Sequence, residues 1–286
     1  MRRLALVVQL ALSVAVIAPA VAQPNVAPAR RPAGMARGNF SDYVQLAIDG
    51  DSIYYLRRNG NILVEDSNGV QLFDNATDGT KQIAVDGGVV YALKTNGNVW
   101  RKLPGNDWEQ IDTGTGSKQL LAKAGGLYVL KNDGSVWQYT NGWVQVDAGQ
   151  GTKMMAGDRQ GHLYVLKTNG NIWAYGQQGW VEIDSAEGTK QIAAAHGLVY
   201  ALKSGDGGIW RFDGNAWGQI DTASGTRRIY ASGNELFAVK KDGAIWLFRD
   251  NTWTQVSKED VQDAYVSRGN LYILRPDGRV VYVAKN

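Results

Sequence analysis

Leu127-Tyr128-Val129-Leu130-Lys131-Asn132-Asp133-Gly134-Ser135-Val136-Trp137-Gln138-Tyr139 decides the fold, because six other stretches of the chain repeat its pattern. Close relatives begin at Val90 (VYALKTNGNVWRK), Leu163 (LYVLKTNGNIWAY), Val199 (VYALKSGDGGIWRF), Leu236 (LFAVKKDGAIWLF) and Leu271 (LYILRPDGRVVYV). A diverged copy begins at Tyr54 (YYLRRNGNILVE). The anchoring aromatics Tyr55, Tyr91, Tyr128, Tyr164, Tyr200, Phe237 and Tyr272 are separated by steps of 36, 37, 36, 36, 37 and 35 residues. A fixed period of this size marks a repeat architecture, in which each unit buries its apolar faces against its neighbours. A site built on repeated residues then recurs around the molecule.

Within the unit that holds the quoted stretch, four short strands are predicted. Lys118 to Ala122 is the first, Leu127 to Lys131 the second, Val136 to Tyr139 the third and Trp143 to Asp147 the fourth. An Asx-Gly pair separates the second and third strands at Asn59-Gly60, Asn96-Gly97, Asp133-Gly134, Asn169-Gly170, Asp242-Gly243 and Asp277-Gly278, and is shifted to Asp206-Gly207 in the fifth unit. Asx-Gly is a strong hairpin signal, and the expectation is a tight turn with positive φ at both central residues. Hairpins impose antiparallel pairing and exclude a parallel β-helix. Second strands apolar on both faces, such as Val90-Tyr91-Ala92-Leu93, require cover on both sides. Small antiparallel sheets sandwiched between like sheets describe a β-propeller. The expected fold is therefore all-β, a seven-bladed propeller of about 36-residue units, with six blades as the alternative count. No stretch after Arg37 carries a helical period, so helix is expected to be nearly absent.

Outward from the repeats, residues 1–22 read as a secretory signal, with basic Arg2 and Arg3, an apolar run from Leu4 to Ala18 and an Ala20-Val21-Ala22 cleavage site. The run is shorter than the roughly 20 apolar residues of a membrane span. Residues 23–37 contain Pro24, Pro28, Pro32 and several Ala and Arg, and read as a linker. Residues 38–286 form the propeller. The expected location is secreted or periplasmic, with no membrane span after signal cleavage. The chain has no Cys, which excludes disulfides, thiolate metal sites and a cysteine nucleophile. Of the formal +3 charge, removing Arg2 and Arg3 leaves +1, and removing Arg30, Arg31 and Arg37 leaves −2. A near-neutral domain is a poor nucleic-acid binder.

After Tyr282 only four residues remain, too few for a fourth strand, while Phe40 to Ile48 aligns with a first strand. The ring is thus cut between strands three and four. Residues 33–37 stand where the missing strand would be, and the two readings are a strand supplied by this segment or a three-stranded last blade.

The order Trp180-Val181-Glu182-Ile183, Gly188-Thr189-Lys190-Gln191-Ile192-Ala193, Val199-Tyr200-Ala201-Leu202 and Ile209-Trp210 resembles the tectonin and tachylectin-like β-propeller repeats, over essentially the whole domain from about Phe40. The resemblance implies a propeller, and its members include carbohydrate-binding lectins and bacterial-surface-recognition proteins. Glycans or a cell-surface polysaccharide are the partners it implies, with protein partners as the alternative.

Ten Trp fall into five pairs that flank the turn between strands three and four: Trp100 with Trp108, Trp137 with Trp143, Trp173 with Trp180, Trp210 with Trp217, and Trp246 with Trp253. Two readings compete. An indole face suits the C–H face of a pyranose while its N–H supplies a polar contact. The other reading is packing between blades, which Leu63 and Val70 at the same positions of the first unit favour. The last unit likewise has Val281 at the third-strand position, so Trp-based sites are expected on units two to six.

Basic residues form two series. Arg57, Lys94, Lys131, Lys167, Lys203, Lys240 and Arg275 end second strands, and Lys81, Lys118, Lys153, Lys190 and Arg227 begin first strands. They share a face with Asp74, Asp112, Asp147, Asp184 and Asp221, so ion pairing competes with capture of an anion. His162 and His196 are read as turn residues, with no metal site and no cofactor. No G-x-S-x-G, H-E-x-x-H, P-loop or EF-hand loop occurs, and the expected function is a non-enzymatic binding module. A lectin-like module is the first reading, a protein-interaction scaffold with one symmetry-breaking patch the alternative, and an enzyme on a propeller scaffold the third.

Overall fold

A computed structural model describes residues 42–283 apart from 76–78, 115, 150, 206, 223 and 268. The expected signal peptide at 1–22, the linker at 23–37 and the closing segment at 33–37 lie outside the described residues. Among the described residues there is no helix, and no helix long and apolar enough to cross a membrane. The strands form seven antiparallel sheets, six of four strands and one of three, each ordered along the chain. The blades span residues 43–74, 80–112, 117–147, 152–184, 189–221, 226–258 and 263–283. Strand bounds in the third blade are Ser117–Lys123, Gly126–Lys131, Val136–Tyr139 and Trp143–Asp147, within a residue of expectation.

Seven apolar clusters hold the ring together, one at each junction of neighbouring blades. Ala84, Tyr91 and Leu93 of the second blade pack with Leu120, Leu127 and Val129 of the third. The last junction is of the same kind: Tyr272 and Leu274 of the seventh blade pack with Tyr43, Leu46, Tyr55 and Leu63 of the first. The ring is therefore closed by side-chain packing across its seam. The leucine two residues after the aromatic of the second strand (Leu93, Leu130, Leu166, Leu202) is fully buried. Each such side chain contributes about 1.5–3 kcal/mol.

First strands of successive blades adjoin one another and surround the central axis, while fourth strands form the outer edge and expose Leu72, Val144 and Val181. A glutamine rivets the inner strands together. Gln82 accepts from the Leu120 amide at 2.9 Å and donates to its carbonyl at 3.2 Å. Gln45 grips Ile83, Gln119 grips Met155 and Gln191 grips Ile229 in the same way.

The Asx-Gly turns differ from expectation. Gly134 has φ 86°, but Asp133 does not have positive φ, and the same holds for the other Asx residues preceding Gly among the described residues. Gly134 N–H bonds the Lys131 carbonyl, the Lys131 N–H bonds the Ser135 carbonyl, and Asp133 Oδ1 accepts from the Ser135 amide at 2.9 Å. The loop is a three-residue turn with one left-handed glycine, and the Asx side chain serves as a backbone acceptor. Paired positive φ occurs instead at turns such as Asp250-Asn251 (49° and 58°) and His196-Gly197 (55° and 75°).

Candidate functional site

The two Trp of each pair are diagonal cross-strand neighbours on one face, since Trp137 pairs with Gln145 and Tyr139 with Trp143. All ten are half-buried, neither sealed in the core nor fully open. Within a pair the two indoles differ. The fourth-strand Trp donates its N–H to the preceding blade: Trp143 to the Ile111 carbonyl at 2.6 Å, Trp180 to Val146 at 2.6 Å, Trp217 to Ile183 at 2.6 Å and Trp253 to Ile220 at 2.8 Å. Trp108 donates to Asp74 Oδ1 at 3.0 Å. In blades three to six the fourth-strand ring also lies on an aromatic of the third strand, as with Tyr175 and Trp180, whose centroids are 4.9 Å apart, whereas the Trp108 ring meets Phe73 of the preceding blade edge-on. Both the ring and the polar handle are thus committed to the fold. Among the described residues, the third-strand indoles of Trp100, Trp173, Trp210 and Trp246 have no N–H acceptor, whereas Trp137 donates to Ser135 Oγ at 3.1 Å.

Two of the pairs open into clefts between blades. One of about 660 Å³ is lined by Trp210, Trp217, Asp184, Glu187, Lys203 and Ser204. An equivalent cleft of about 540 Å³ one blade on is lined by Trp246, Trp253, Asp221, Lys240 and Asp242. An apolar wall with a charged rim is suited to a small polyhydroxylated ligand.

The charged rim is largely self-neutralised. Lys203 Nζ lies 2.9 Å from Asp184 and 2.7 Å from Thr189 Oγ1. Lys167 bonds Asp147 at 2.5 Å, Lys240 bonds Asp221 at 2.6 Å, and Lys131 bonds Asp112. Arg57 pairs with Asp42 and Arg275 with Glu259 at the two ends of the chain. Apart from Arg57, whose partner precedes the first strand of its own blade, these second-strand cations are therefore links between blades, not an anion trap. First-strand cations instead reach backbone oxygens of the next blade: Lys81 to Ser117 at 3.2 Å, Lys118 to Lys153 at 3.4 Å, Lys190 to Thr226 at 3.1 Å, and Arg227 to Val261.

On the opposite face, where first strands turn into second strands, a funnel of about 560 Å³ opens over one side of the ring. Gly157, Ala195 and Ser232 end first strands of the fourth, fifth and sixth blades there, and their small size makes the opening. The funnel also holds Lys123, Asp158, Arg159, Glu235, Arg249 and Asp250. Asp158 is buried, accepts from the His162, Gln160 and Gly197 amides, and pairs with His162 Nδ1 at 2.9 Å. Burial pushes its carboxyl up, but those hydrogen bonds outweigh burial and hold it below the usual carboxylate range. Glu235 accepts from Arg249 Nε at 2.7 Å. Burial pushes the Lys123 ammonium below the ordinary lysine range, opposed in part by Asp86. His196 lies in a left-handed turn position and lines the funnel wall. Among the described residues no cluster of three His, Asp or Glu side chains is placed to hold a metal ion.

The ten Trp thus sit where the repeats put them, whereas the funnel is absent from the sequence reading. Its signal lies in the last first-strand positions, Asp49, Asp86, Lys123, Gly157, Ala195, Ser232 and Ser267, which follow no repeat.

No protein-family model matches the chain, and no curated protein matches it. Solved structures do. A structure described as YCF48 bound to D1 peptide superposes with TM-score 0.64 at 14% identity, covering 86% of this chain and 94% of the other. One described as Kap60 bound to yeast RCC1 (Prp20) gives 0.59 at 11% identity, covering 72% and 69%. BamB from Moraxella catarrhalis gives 0.55 at 17% identity, covering 83% and 81%. At these identities the likeness establishes the propeller fold alone.

Proposed function

We propose that this chain is an exported, non-enzymatic interaction scaffold that holds a segment of a partner protein in the asymmetric funnel. The funnel carries the reading. A surface made of repeated residues presents like sites around the ring, whereas this opening lies to one side, where blades four to six end their first strands in small residues, and combines small side chains with charged ones. Propellers whose structures are described with a bound peptide or a bound protein share the fold, which supports the reading as analogy. Export rests on the signal-like residues 1–22. The test is to select displayed peptides against the immobilised chain and against its Ser232→Trp variant, which fills the funnel. Peptides should be enriched on the first and lost on the second. Equal enrichment on both sinks the proposal.

A second reading is favoured by one observation, the unbonded N–H groups of Trp210 and Trp246 beside open clefts. There the chain would hold sugars weakly at several like sites, and a polyvalent surface would raise the strength by avidity. The tectonin-like repeat pattern supports this reading. A glycan array probed with the chain and with a Trp210→Ala, Trp246→Ala variant tests it, and an array without signal removes it.

A further inference from the structure

Asp49 and Asp86 close the first strands of blades one and two, and each carboxylate accepts the amide of the neighbouring blade's turn, Gly88 and Gly125, at 2.7 Å. Asp158 does the same for Gly197 at 2.7 Å. Between them in the ring stands Lys123, which cannot accept, and whose Nζ is tied to no described residue by a hydrogen bond or ion pair. Its stem passes Gly157 of the next blade, so the ammonium is directed into the funnel that Gly157, Ala195 and Ser232 leave open. Arg159 is exposed and equally unpaired, and Arg249 Nη2 has no partner among the described residues. Two of the carboxylates are committed, Asp158 to three amides and His162, and Glu235 to Arg249, while Asp250 stands exposed at the rim. Asp86, Asp49 and Asp158 lie near enough to Lys123 to act on it through space, without contact, and Arg159 opposes them.

We infer that Lys123 is the anchor of a carboxylate-binding site, and that the segment held in the funnel presents an acidic side chain or its C-terminal carboxylate to this ammonium. The inference rests on the funnel reading proposed above and names the chemistry of its ligand. A partly desolvated ammonium without a partner is unfavourable. An arriving carboxylate relieves that cost with a charge-assisted hydrogen bond, and needs no rearrangement because the small neighbours already leave room.

The experiment follows lysine ε signals by NMR in the full chain during titration with short glycine peptides. One peptide carries a central Glu with both ends blocked, one a free C-terminal carboxylate alone, and one neither; a uronic-acid disaccharide is the fourth probe. The two carboxylate peptides should bind about tenfold or more tighter than the blocked neutral one. The stronger of the two identifies the source. The Lys123→Met variant should erase that preference, and Lys123→Arg should keep much of it, with unfolding curves confirming that both fold. Equal binding of acidic and neutral peptides, or a preference that survives Lys123→Met, overturns the anchor. Stronger binding of the uronate than of either peptide overturns the assignment to a protein segment. If Ser232→Trp abolishes peptide binding while Lys123→Met does not, the funnel stands and only the anchor falls. If Ser232→Trp changes nothing, both fall.

Discussion

The indole N–H of Trp217 donates a 2.6 Å hydrogen bond to the backbone oxygen of Ile183, tying the outer strand of the fifth blade to that of the fourth. Its pair-mate Trp210 makes no such bond and faces the same cleft. The two tryptophans are therefore expected to separate on substitution. Trp217→Phe should cost about 1 kcal/mol, the net worth of one hydrogen bond. Trp210→Phe breaks no such bond and should cost less than Trp217→Phe. Urea unfolding of the two variants decides it, and an equal or larger loss for Trp210→Phe would show that the N–H is not what distinguishes them.

The rivet between Gln82 and Leu120 makes a sharper prediction. Gln82→Leu leaves both backbone groups of Leu120 without their side-chain partner next to the axis, at a cost of about 1–3 kcal/mol. The fourth blade lacks the device, since Met154 stands where blades one, two, three and five have Gln45, Gln82, Gln119 and Gln191. Met154→Gln should then slow hydrogen exchange at the Ile192 amide. Exchange rates at Leu120 that are unaltered in Gln82→Leu would remove the rivet from the account.

The ring was legible because three periodic signals agree: the aromatic of the second strand, the glycine of the following turn and the apolar core of both. The two-sided apolar second strands then required neighbours on both faces. The glutamine rivets recur at a fixed place in four units and could have been found, but their partners are backbone groups and leave no mark on the sequence. The same blindness hid the difference between Trp210 and Trp217, because the acceptor that separates them is a carbonyl 34 residues away. Asp133 shapes its turn through its side chain, which accepts the Ser135 amide, and not through a positive φ. The funnel is made where the repeat fails, at Gly157, Ala195 and Ser232, so the periodic pattern carries no mark of it.

Lys203, Asp184 and Thr189 form a half-buried triangle between the fourth and fifth blades, with Lys203 17% and Asp184 12% exposed. Lys203→Met removes the cation from a carboxylate that cannot be fully rehydrated, and should cost about 1–3 kcal/mol. Adding Asp184→Asn should recover part of that loss, because the stranded charge is then gone. A double-mutant cycle reads the coupling directly. Strict additivity of the two substitutions would mean that the pair contributes nothing as a pair.

Asp158 fixes the acid limit of the funnel wall. Its folded carboxyl titrates below the ordinary value, since hydrogen bonds from His162 and the Gly197 and His162 amides outweigh the effect of burial. A carboxyl depressed in the folded state contributes stability that is fully present above its unfolded pKa, about 3.9, and is lost as pH falls through the lower folded value. At pH 7 Asp158→Asn should therefore cost about 1.5–3 kcal/mol, the worth of hydrogen bonds to a charged group. Below pH about 3.9 the gap between the two proteins should narrow as the native carboxylate takes up its proton. Unfolding midpoints measured from neutral pH downward test both the size and the sign. A gap that stays constant with pH would show that the bonds to Asp158 matter for their geometry and not for its charge.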